Sequence, residues 1–359
     1  MSRHIVLLLA ALALAAPAPI SAQSTAERDR EHEQERIEQD RERERDRRER
    51  EREQAQERAE RAREQAEERA ERDRERNEER REREDAGALD TTVTFDARGT
   101  VNVSCPGGDV VVTGSDRDQI VVRARTERGA MRFVSTGSNA TLEPAASRDC
   151  SDAHFELTVP AGVHLVANSW SGSLSVKGVK GEIDAHAQSG DVDVRDAGND
   201  IEVETLSGDV TIEGARGAVN VHTVSGDISL TGGRGSVEIE TVSGDMELHD
   251  VVSNQVRTNS TSGDLTFAGA ILEGGRYQFE THSGELRLEL PANVGAELSL
   301  STFSGEIDSA FPITLTPGGH NIGSSQAKKL TFSLGKGSAR IIAETFSGDV
   351  TLTSTGRRP

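Results

Sequence analysis

Carboxylates recur along this chain at a nearly constant interval, each directly after a serine and a glycine. The tripeptide returns every 18 residues at first, and later intervals widen to 19 and 21 residues. Stacked at this period, the carboxylates would form a column of like charges, which needs either backbone N–H donors or shared divalent cations. The members of this acidic column are Asp191, Asp209, Asp227, Asp245, Asp264, Glu285, Glu306 and Asp349.

Turn chemistry is the favoured explanation of the acidic column, because Ser, Gly and Asp are the residues that tight turns select. Each carboxylate would then accept backbone N–H groups of its own turn. The competing hypothesis is a calcium ladder, although the chain lacks the Gly-Gly-x-Gly-x-Asp nonapeptide of calcium-loaded β-rolls. The favoured interpretation requires no cofactor, and the candidate ligands of the calcium alternative are Asp191, Asp209, Asp227, Asp245 and Asp264.

A second column lies five residues before the acidic one and alternates His with Glu over its first four members. A transition metal could bind between Glu204, His222 and Glu240, but single side chains from successive repeats rarely converge into a tetrahedral shell. A ladder of charge-assisted hydrogen bonds is therefore the favoured interpretation. This His/Glu column consists of His186, Glu204, His222, Glu240, Asn259, Glu280, Ser301 and Glu344.

Threonines and large apolar residues occupy two adjacent columns just before the serine. Because side chains alternate along a strand, both columns cannot face the core. Strict alternation would bury the threonines, whereas a corner at the tripeptide would return the apolar residues to the core. Burial is favoured for the apolar residues; if exposed, they form the best candidate binding surface. The two columns are Thr205, Thr223, Thr241, Thr281, Thr302 and Thr345, and Trp170, Leu206, Val224, Val242, Phe303 and Phe346.

Each repeat holds two short strands and no helix. Apolar and polar residues alternate on both sides of the tripeptide, and a Gly-x-x-Gly step closes the unit. The fixed period predicts an all-β, parallel β-solenoid, or single-stranded β-helix, with coils of 18 to 21 residues. An antiparallel sandwich is the rival, and the regular period argues against it. The inward columns would be Val203, Val221 and Ile239, and Val210, Ile228 and Met246.

The repeat continues to the end of the chain with one irregularity. About ten coils fit between Val163 and Leu352 at this period. The last interval between tripeptides is 43 residues, close to two coils, so one tripeptide would be missing around residues 321–327.

The N-terminal residues predict a secretory signal peptide. Arg3 and His4 precede an apolar run from Ile5 to Ala16, and Ala22 is a small residue at the expected cleavage point. No later stretch reaches the roughly 18 continuous apolar residues of a transmembrane helix. We therefore expect an exported protein that is periplasmic, associated with the cell envelope or secreted.

A charged arm follows the signal. From Ser24 to Ala86 most residues are Glu, Arg, Asp or Gln, Gly and Pro are absent, and opposite charges recur at helical spacing. This composition predicts a long charged α-helix, with disorder as the alternative. A stripe of five alanines gives the arm a weak coiled-coil seam, so homo-oligomers through residues 24–86 are a further possibility.

These observations divide the chain into five segments. They are a signal peptide (1–22), the Glu/Arg-rich arm (23–88), an N-terminal β region of the solenoid (89–165), the regular repeats (166–354) and a short tail (355–359).

Net charge and cysteine content limit which partners and which cellular compartment we expect. The formal net charge is −20, which argues against nucleic acid as a partner. Cys105 and Cys150 are the only cysteines, and in an exported chain a disulfide between them is the favoured interpretation. Two buried thiols are the alternative.

The repeats also carry a family resemblance. The segment Phe155-Glu156-Leu157-Thr158-Val159-Pro160-Ala161-Gly162-Val163, followed by the Val-x-Val-x-Thr-x-Ser-Gly-Asp-Val repeats, resembles the bacterial putative-adhesin family. This is a domain of unknown function described by its β-strand repeats, and the resemblance covers roughly residues 91–353. It implies an exported solenoid and supplies no catalytic residues.

The sequence therefore favours a non-enzymatic, adhesin-like or envelope-associated protein whose extended solenoid surface binds a glycan or protein. The alternative is a structural scaffold that assembles through the charged arm. A carbohydrate-active β-helix enzyme is a remote third, because the chain has one Trp and one Tyr to contact sugars and no nucleophile motif.

Overall fold

The computed structural model describes residues 88–105, 107–126, 131–145, 153–312 and 328–355, and parts of the segment 43–74. The chain divides into two units, residues 1–79 and 80–359. In the first unit, residues 63–74 are helical, and Arg72 forms an ion pair of 2.9 Å with Glu68 one turn earlier. No helix within the described residues is long and apolar enough to cross a membrane.

The second unit is all-β. Seven strands precede the regular repeats: β1 (Ala88–Thr94), β2 (Thr100–Cys105), β3 (Gly108–Ser115), β4 (Gln119–Arg125), β5 (Met131–Ser135), β6 (Asn139–Pro144) and β7 (Ala153–Pro160). The regular repeats contain β8 (His164–Ser171), β9 (Leu174–Lys177), β10 (Ile183–Ser189), β11 (Val192–Arg195), β12 (Ile201–Ser207), β13 (Val210–Glu213), β14 (Val219–Ser225), β15 (Ile228–Thr231) and β16 (Val237–Ser243). The remaining strands are β17 (Met246–Ser262), β18 (Leu265–Ser283), β19 (Leu286–Pro291), β20 (Ala296–Ser304), β21 (Ile307–Ser309), β22 (Lys328–Leu334), β23 (Ala339–Ser347) and β24 (Val350–Thr355).

Successive coils pair in parallel and in register, which confirms the solenoid-like arrangement. Ile201 of β12 aligns with Ile183 of β10 and Val219 of β14, and the short strands β11, β13 and β15 pair in the same way. Each coil thus has a longer strand ending at the tripeptide, which forms the long-strand face, and a short strand after it. The six residues predicted to face inward, Val203, Val221, Ile239, Val210, Ile228 and Met246, are all buried.

The tripeptide forms the corner between the two faces, and its glycine is a steric requirement. The φ angles of Gly208 and Gly226 are both 127°, in the region that L side chains rarely adopt. A Cβ on Gly226 would also lie 2.2 Å from the carbonyl oxygen of Gly208 in the preceding coil. The backbones of adjacent coils therefore approach too closely at this corner for any side chain.

At the C-terminal end, the coils do not stack in sequence order. β23 pairs on one side with the second half of β18 and on the other with β20, and β24 lies between β19 and β21. The last coil of the chain, formed by β23 and β24, is thus intercalated between the two coils that precede it in the sequence. β22 then pairs antiparallel with the outer edge of β20.

The N-terminal end of the solenoid shows the same intercalation. β2 and β3 pair with β8 and β9 on the inner side and with β6 and β7 on the outer side, although β6 and β7 follow them in sequence. The antiparallel strands β5 and β4 cover the outer edges of β6 and β7, and β1 covers β4. Antiparallel covering of this kind protects the stack from pairing with other chains.

Intercalation corrects two expectations from the sequence. The interval of 43 residues between the last two tripeptides does not represent two coils with one tripeptide lost. It holds β22 and its connections, and the coils on either side of it are direct neighbours, with Ser304 aligned to Ser347. Within the described residues, nine coils lie between Val163 and Leu352, against the roughly ten expected from the period.

Near the C-terminal end, aromatic rings join the aliphatic side chains of the core. Phe267 packs against Phe279 and Tyr277 with ring centroids 5.0 and 6.2 Å away. The Tyr277 hydroxyl donates to the Ser253 carbonyl at 2.6 Å and accepts the Leu272 N–H at 2.8 Å. Burial raises the pKa of the Tyr277 phenol above its ordinary value.

The corner geometry predicts that Gly226→Ala destabilises the protein strongly. The new methyl group would meet the Gly208 carbonyl and hold an unfavourable φ, at a cost of about 3 kcal/mol. Gly233→Ala is the control, because its Cβ would lie 3.4 Å from the nearest side-chain atom and its φ is not positive, so a change below about 1 kcal/mol is expected. Urea denaturation measures both values, and equal losses would contradict the steric account.

Intercalation predicts which engineered cysteines can form a disulfide. Glu280 and Glu344 are aligned neighbours on β18 and β23, as are Glu344 and Ser301 on β23 and β20. The pairs Glu280→Cys/Glu344→Cys and Ser301→Cys/Glu344→Cys should therefore oxidise, since aligned Cα atoms lie about 4.8 Å apart.

The pair Glu280→Cys/Ser301→Cys is the discriminating control, because stacking in sequence order would make these residues neighbours. In the intercalated order they are two coils apart, about 10 Å, beyond the reach of a disulfide. Peptide mapping by mass spectrometry under non-reducing conditions identifies the bridges. Efficient formation of this third bridge would show that the coils stack in sequence order.

Candidate binding face

The acidic column is held together by hydrogen bonds between coils. The Oδ1 atom of Asp209 accepts the backbone N–H of Asp227 at 2.9 Å, and Asp227 in turn accepts the N–H of Asp245 at 2.9 Å. The same contact joins Asp191 to Asp209, Asp245 to Asp264, Asp264 to Glu285 and Asp349 to Glu306. The turn chemistry differs from the expectation in one respect, because each donor belongs to the next coil and not to the carboxylate's own turn.

The calcium ladder on Asp191, Asp209, Asp227, Asp245 and Asp264 stays a prediction. Among the described residues, no three members of the column bring carboxylate oxygens within 4.8 Å of one another. One oxygen of each of these five carboxylates is already engaged by a backbone N–H. The column can therefore tolerate its like charges through backbone dipoles.

The sequence missed one His/carboxylate cluster, formed by His164, Glu182 and Asp184. In this cluster His164 Nε2 lies 2.9 Å from Asp184 Oδ2. The signal was available, because Glu182 occupies the position equivalent to His164 one 18-residue repeat later.

The His/Glu column forms pairs in place of a metal site. His186 Nδ1 lies 3.1 Å from Glu204 Oε2, and His222 Nδ1 lies 3.3 Å from Glu240 Oε2. Both pairs are half exposed, so they add little to stability. The transition-metal alternative at Glu204, His222 and Glu240 is not supported, because these three residues do not converge.

The threonine column is buried and the apolar column is exposed, so the expectation that the apolar residues pack in the core was wrong. Thr223 is 6% exposed, whereas Val224, the next residue, is 45% exposed. The long strands continue through the serine, as in β14 (Val219–Ser225), so alternation persists up to the corner. The threonines tolerate burial because their hydroxyls donate to backbone carbonyls, as Thr223 does to Ser225 at 3.4 Å.

The exposed column forms a continuous strip along the long-strand face. The alignment of Ser207 with Ser189 and Ser225, and its equivalents in other coils, place one strip residue in each coil. Gln188, Thr261 and His282 belong to the strip although the apolar pattern did not include them. Their signal was present, because each one directly precedes the tripeptide serine. In spatial order the strip is Trp170, Gln188, Leu206, Val224, Val242, Thr261, His282, Phe346 and Phe303.

The C-terminal end of the strip is a stack of rings. Phe346 lies between His282 and Phe303, with centroid separations of 4.9 and 4.7 Å and ring planes within 7° and 4° of parallel. Only intercalation brings Phe346 to this position. Because the rings lie face to face along the solenoid axis, the stack presents mainly ring edges to solvent.

The N-terminal end of the strip borders a groove of about 700 Å³ on the long-strand face. The residues that line this groove include Trp170, Leu206, Val224, His186 and Glu204. Trp170 is 66% exposed, the highest value among the exposed large apolar residues of the described chain. An exposed apolar strip beside a groove is typical of an interaction surface.

The predicted disulfide remains untested. Cys105 is buried at the end of β2, and its Sγ lies 3.8 Å from the Gly108 carbonyl oxygen. Cys150 lies outside the described residues. A bridge between the two cysteines is therefore still a prediction.

Comparison with known proteins identifies a family and two solved structures. The family model described as Toastrack DUF4097 matches residues 100–353. A putative cell adhesion protein from Clostridium sporogenes ATCC 15579 is 9% identical with a TM-score of 0.21, covering 75% of this chain and 100% of its own. A putative adhesin from Bacteroides fragilis NCTC 9343 is 11% identical with a TM-score of 0.34, covering 74% and 96%. No curated protein matches the sequence significantly.

The ladder of hydrogen bonds predicts different effects for two substitutions of Asp227. Asp227→Ala removes the acceptor for the Asp245 N–H and should cost about 1 kcal/mol. Asp227→Asn keeps an oxygen at the same position, so its free energy of unfolding should stay within about 0.5 kcal/mol of the wild type. Urea denaturation in the presence of a chelator measures both. Equal destabilisation by Asn and Ala would contradict this hydrogen-bond account, because it would show that the column needs the charge itself.

Proposed function

This chain belongs to the Toastrack DUF4097 family, and we propose that it is an exported, non-enzymatic, adhesin-like protein that binds an extracellular or envelope macromolecule through the strip. The predicted signal peptide of residues 1–22 supports export to the periplasm, the envelope surface or the medium. The family is one of unknown function, so the binding role is argued from the face itself.

The strip is the observation that carries this proposal. Leu206, Val224 and Val242 are each 45 to 50% exposed in three consecutive coils, although the fold buries the smaller threonine beside each of them. Single exposed apolar residues are common on protein surfaces, but a continuous line of them is not. Covering these side chains with a partner would recover hydrophobic free energy that folding leaves unused.

A structural role through the charged arm is the second candidate. It is favoured by the helical residues 63–74 and by the alanine stripe that continues through Ala66 and Ala70. In that case the protein should form oligomers that depend on its concentration and are lost when residues 24–86 are removed. Sedimentation measures this, and a monomer at all concentrations argues against assembly.

Capture from envelope fractions tests the binding function. The immobilised protein should retain a macromolecule that the strip variant Leu206→Ser/Val224→Ser/Val242→Ser loses by at least about tenfold, since each half-buried side chain contributes about 1 kcal/mol on contact. The three sites are exposed, so the variant should unfold at nearly the wild-type urea concentration.

The matched control changes outward residues of the same three coils, four positions before each strip residue. Glu202→Ser/Asn220→Ser/Glu238→Ser should capture the macromolecule as the wild type does. Equal capture by the wild type, the strip variant and the control would show that the strip is not the binding site. Turnover of a polysaccharide by the wild type would instead favour the enzyme alternative.

A further inference from the structure

The strip runs between two columns that carry only negative or neutral side chains, apart from two histidines. On one side, two residues before each strip residue, lies the His/Glu column, with carboxylates at Glu204, Glu240, Glu280 and Glu344. On the other side, three residues after eight of the nine strip residues, lie the eight carboxylates of the acidic column, and at the Trp170 rung this position is Ser173. Neither column contains Lys or Arg at any of these positions.

The charge pattern is clearest between Leu206 and Val242. At the Leu206 and Val242 rungs, a carboxylate lies on both sides: Glu204 and Asp209, and Glu240 and Asp245. Among the described residues, Arg195 lies on the short strand β11 beside Asp193 and Glu213, whereas Arg287 pairs with Glu285 of the acidic column nearer the C-terminal end. A partner for the strip therefore needs an apolar stripe that is bordered on both sides by positive charges.

Spacing along the strip favours a helix as the partner. Neighbouring strip residues are about 4.8 Å apart, close to the pitch of an α-helix, about 5.4 Å per turn. An extended peptide places same-face side chains about 6.8 Å apart, so within two coils its side chains no longer align with the strip residues. The stretch from Trp170 to Val242 spans four coil spacings, about 19 Å, which a helix of roughly 13 residues covers.

We propose that the strip binds a basic amphipathic α-helix of a partner protein, lying along the solenoid axis. This inference rests on the proposed function and names the chemistry of its partner. Apolar side chains at i, i+3, i+4 and i+7 contact Leu206, Val224 and Val242, and Lys or Arg residues on both borders of the helix face the two columns. The groove beside Trp170 accepts a large apolar side chain at one end of the helix.

The same charges disfavour other occupants. A second copy of the chain would bring acidic columns against acidic columns, and an anionic membrane surface would be repelled likewise. Polysaccharides stack on exposed ring faces, whereas the ring stack of His282, Phe346 and Phe303 presents edges.

A synthetic helix tests the inference directly. The probe is a peptide of about 18 residues with Leu at the stripe positions and Lys on both borders. Trp170 is the single tryptophan of the chain and lies in the strip, so its fluorescence should shift to the blue as the peptide covers it. The dissociation constant should be at least about tenfold lower than for a scrambled peptide of the same composition or for the stripe peptide with Glu borders.

Two variants separate the apolar and electrostatic contributions. The strip variant defined above should weaken peptide binding by at least about tenfold. The border variant Asp209→Asn/Asp227→Asn/Asp245→Asn keeps the oxygen that accepts the next coil's N–H, so the fold is preserved, and should weaken binding about fivefold at low salt. That difference should vanish at about 1 M salt, where exposed charges are screened.

The control for the border variant is Glu213→Gln/Asp250→Asn/Glu289→Gln, which removes the same charge at or directly after the position where the four-residue short strands end. It should bind the peptide as the wild type does. Equal weakening by both triple variants would mean that only net charge attracts the peptide, and the helix site would be wrong. Equal affinity for the scrambled peptide would overturn the proposal in the same way.

Competition distinguishes failure of this inference from failure of the proposed function. The basic helix should displace the macromolecule captured from envelope fractions. If the strip variant loses that macromolecule but the peptide neither binds nor competes, the helix inference is wrong and the strip is still a binding site. Identification of the captured partner as a glycan would likewise overturn the helix inference and leave the strip as a binding site. If the strip variant captures as the wild type does, the proposed function fails.

Discussion

The close approach of backbones at the Gly corner is the constraint on which the structure depends. A Cβ added to a corner glycine would lie 2.0 to 2.3 Å from the carbonyl oxygen of the corner glycine in the preceding coil. This holds for the carbonyl oxygens of Gly190, Gly208, Gly226 and Gly244. Each of these corner positions therefore accepts only a glycine, and a coil that slipped by one residue would place a side chain into this space. Because the glycines cannot slip, every other position of the coil is fixed in a column.

Stacking in columns places each recurring residue type in a line along the solenoid, and the period of the sequence was enough to predict these columns. The inward residues Val203 and Val221 and the register of the tripeptides follow from it directly. The orientation of the strip could not be predicted with the same rule, because hydrophobicity favours a buried Leu206 whereas alternation favours a buried Thr205. The structure follows the alternation and buries Thr205, because β12 continues through Ser207 and the Thr205 hydroxyl donates to the Ser207 carbonyl at 3.3 Å.

The order of the coils could not be predicted for a different physical reason. Each tripeptide can stack on any other, so the sequence does not distinguish Ser347 beside Ser283 from Ser304 beside Ser283. The structure selects the first pairing, which leaves β20 at the outer position where β22 can cover its edge. At the N-terminal end, β6 takes the outer position beside β2, and β5 covers the outer edge of β6. Intercalation is therefore accompanied by a covered edge at both ends of the solenoid.

The hydrogen bonds of the acidic column explain how a fold can support the charge pattern of the strip. A line of carboxylates about 4.8 Å apart would normally be unfavourable. Here the Asp227 carboxylate is stabilised by the N–H of Asp245, which is ordered by the coil in any case. The corner therefore serves two purposes: it fixes the register that aligns the apolar residues, and it keeps a continuous negative border beside them. An acid-bordered apolar strip follows from stacking this one turn many times, so the length of the partner surface grows with the number of coils.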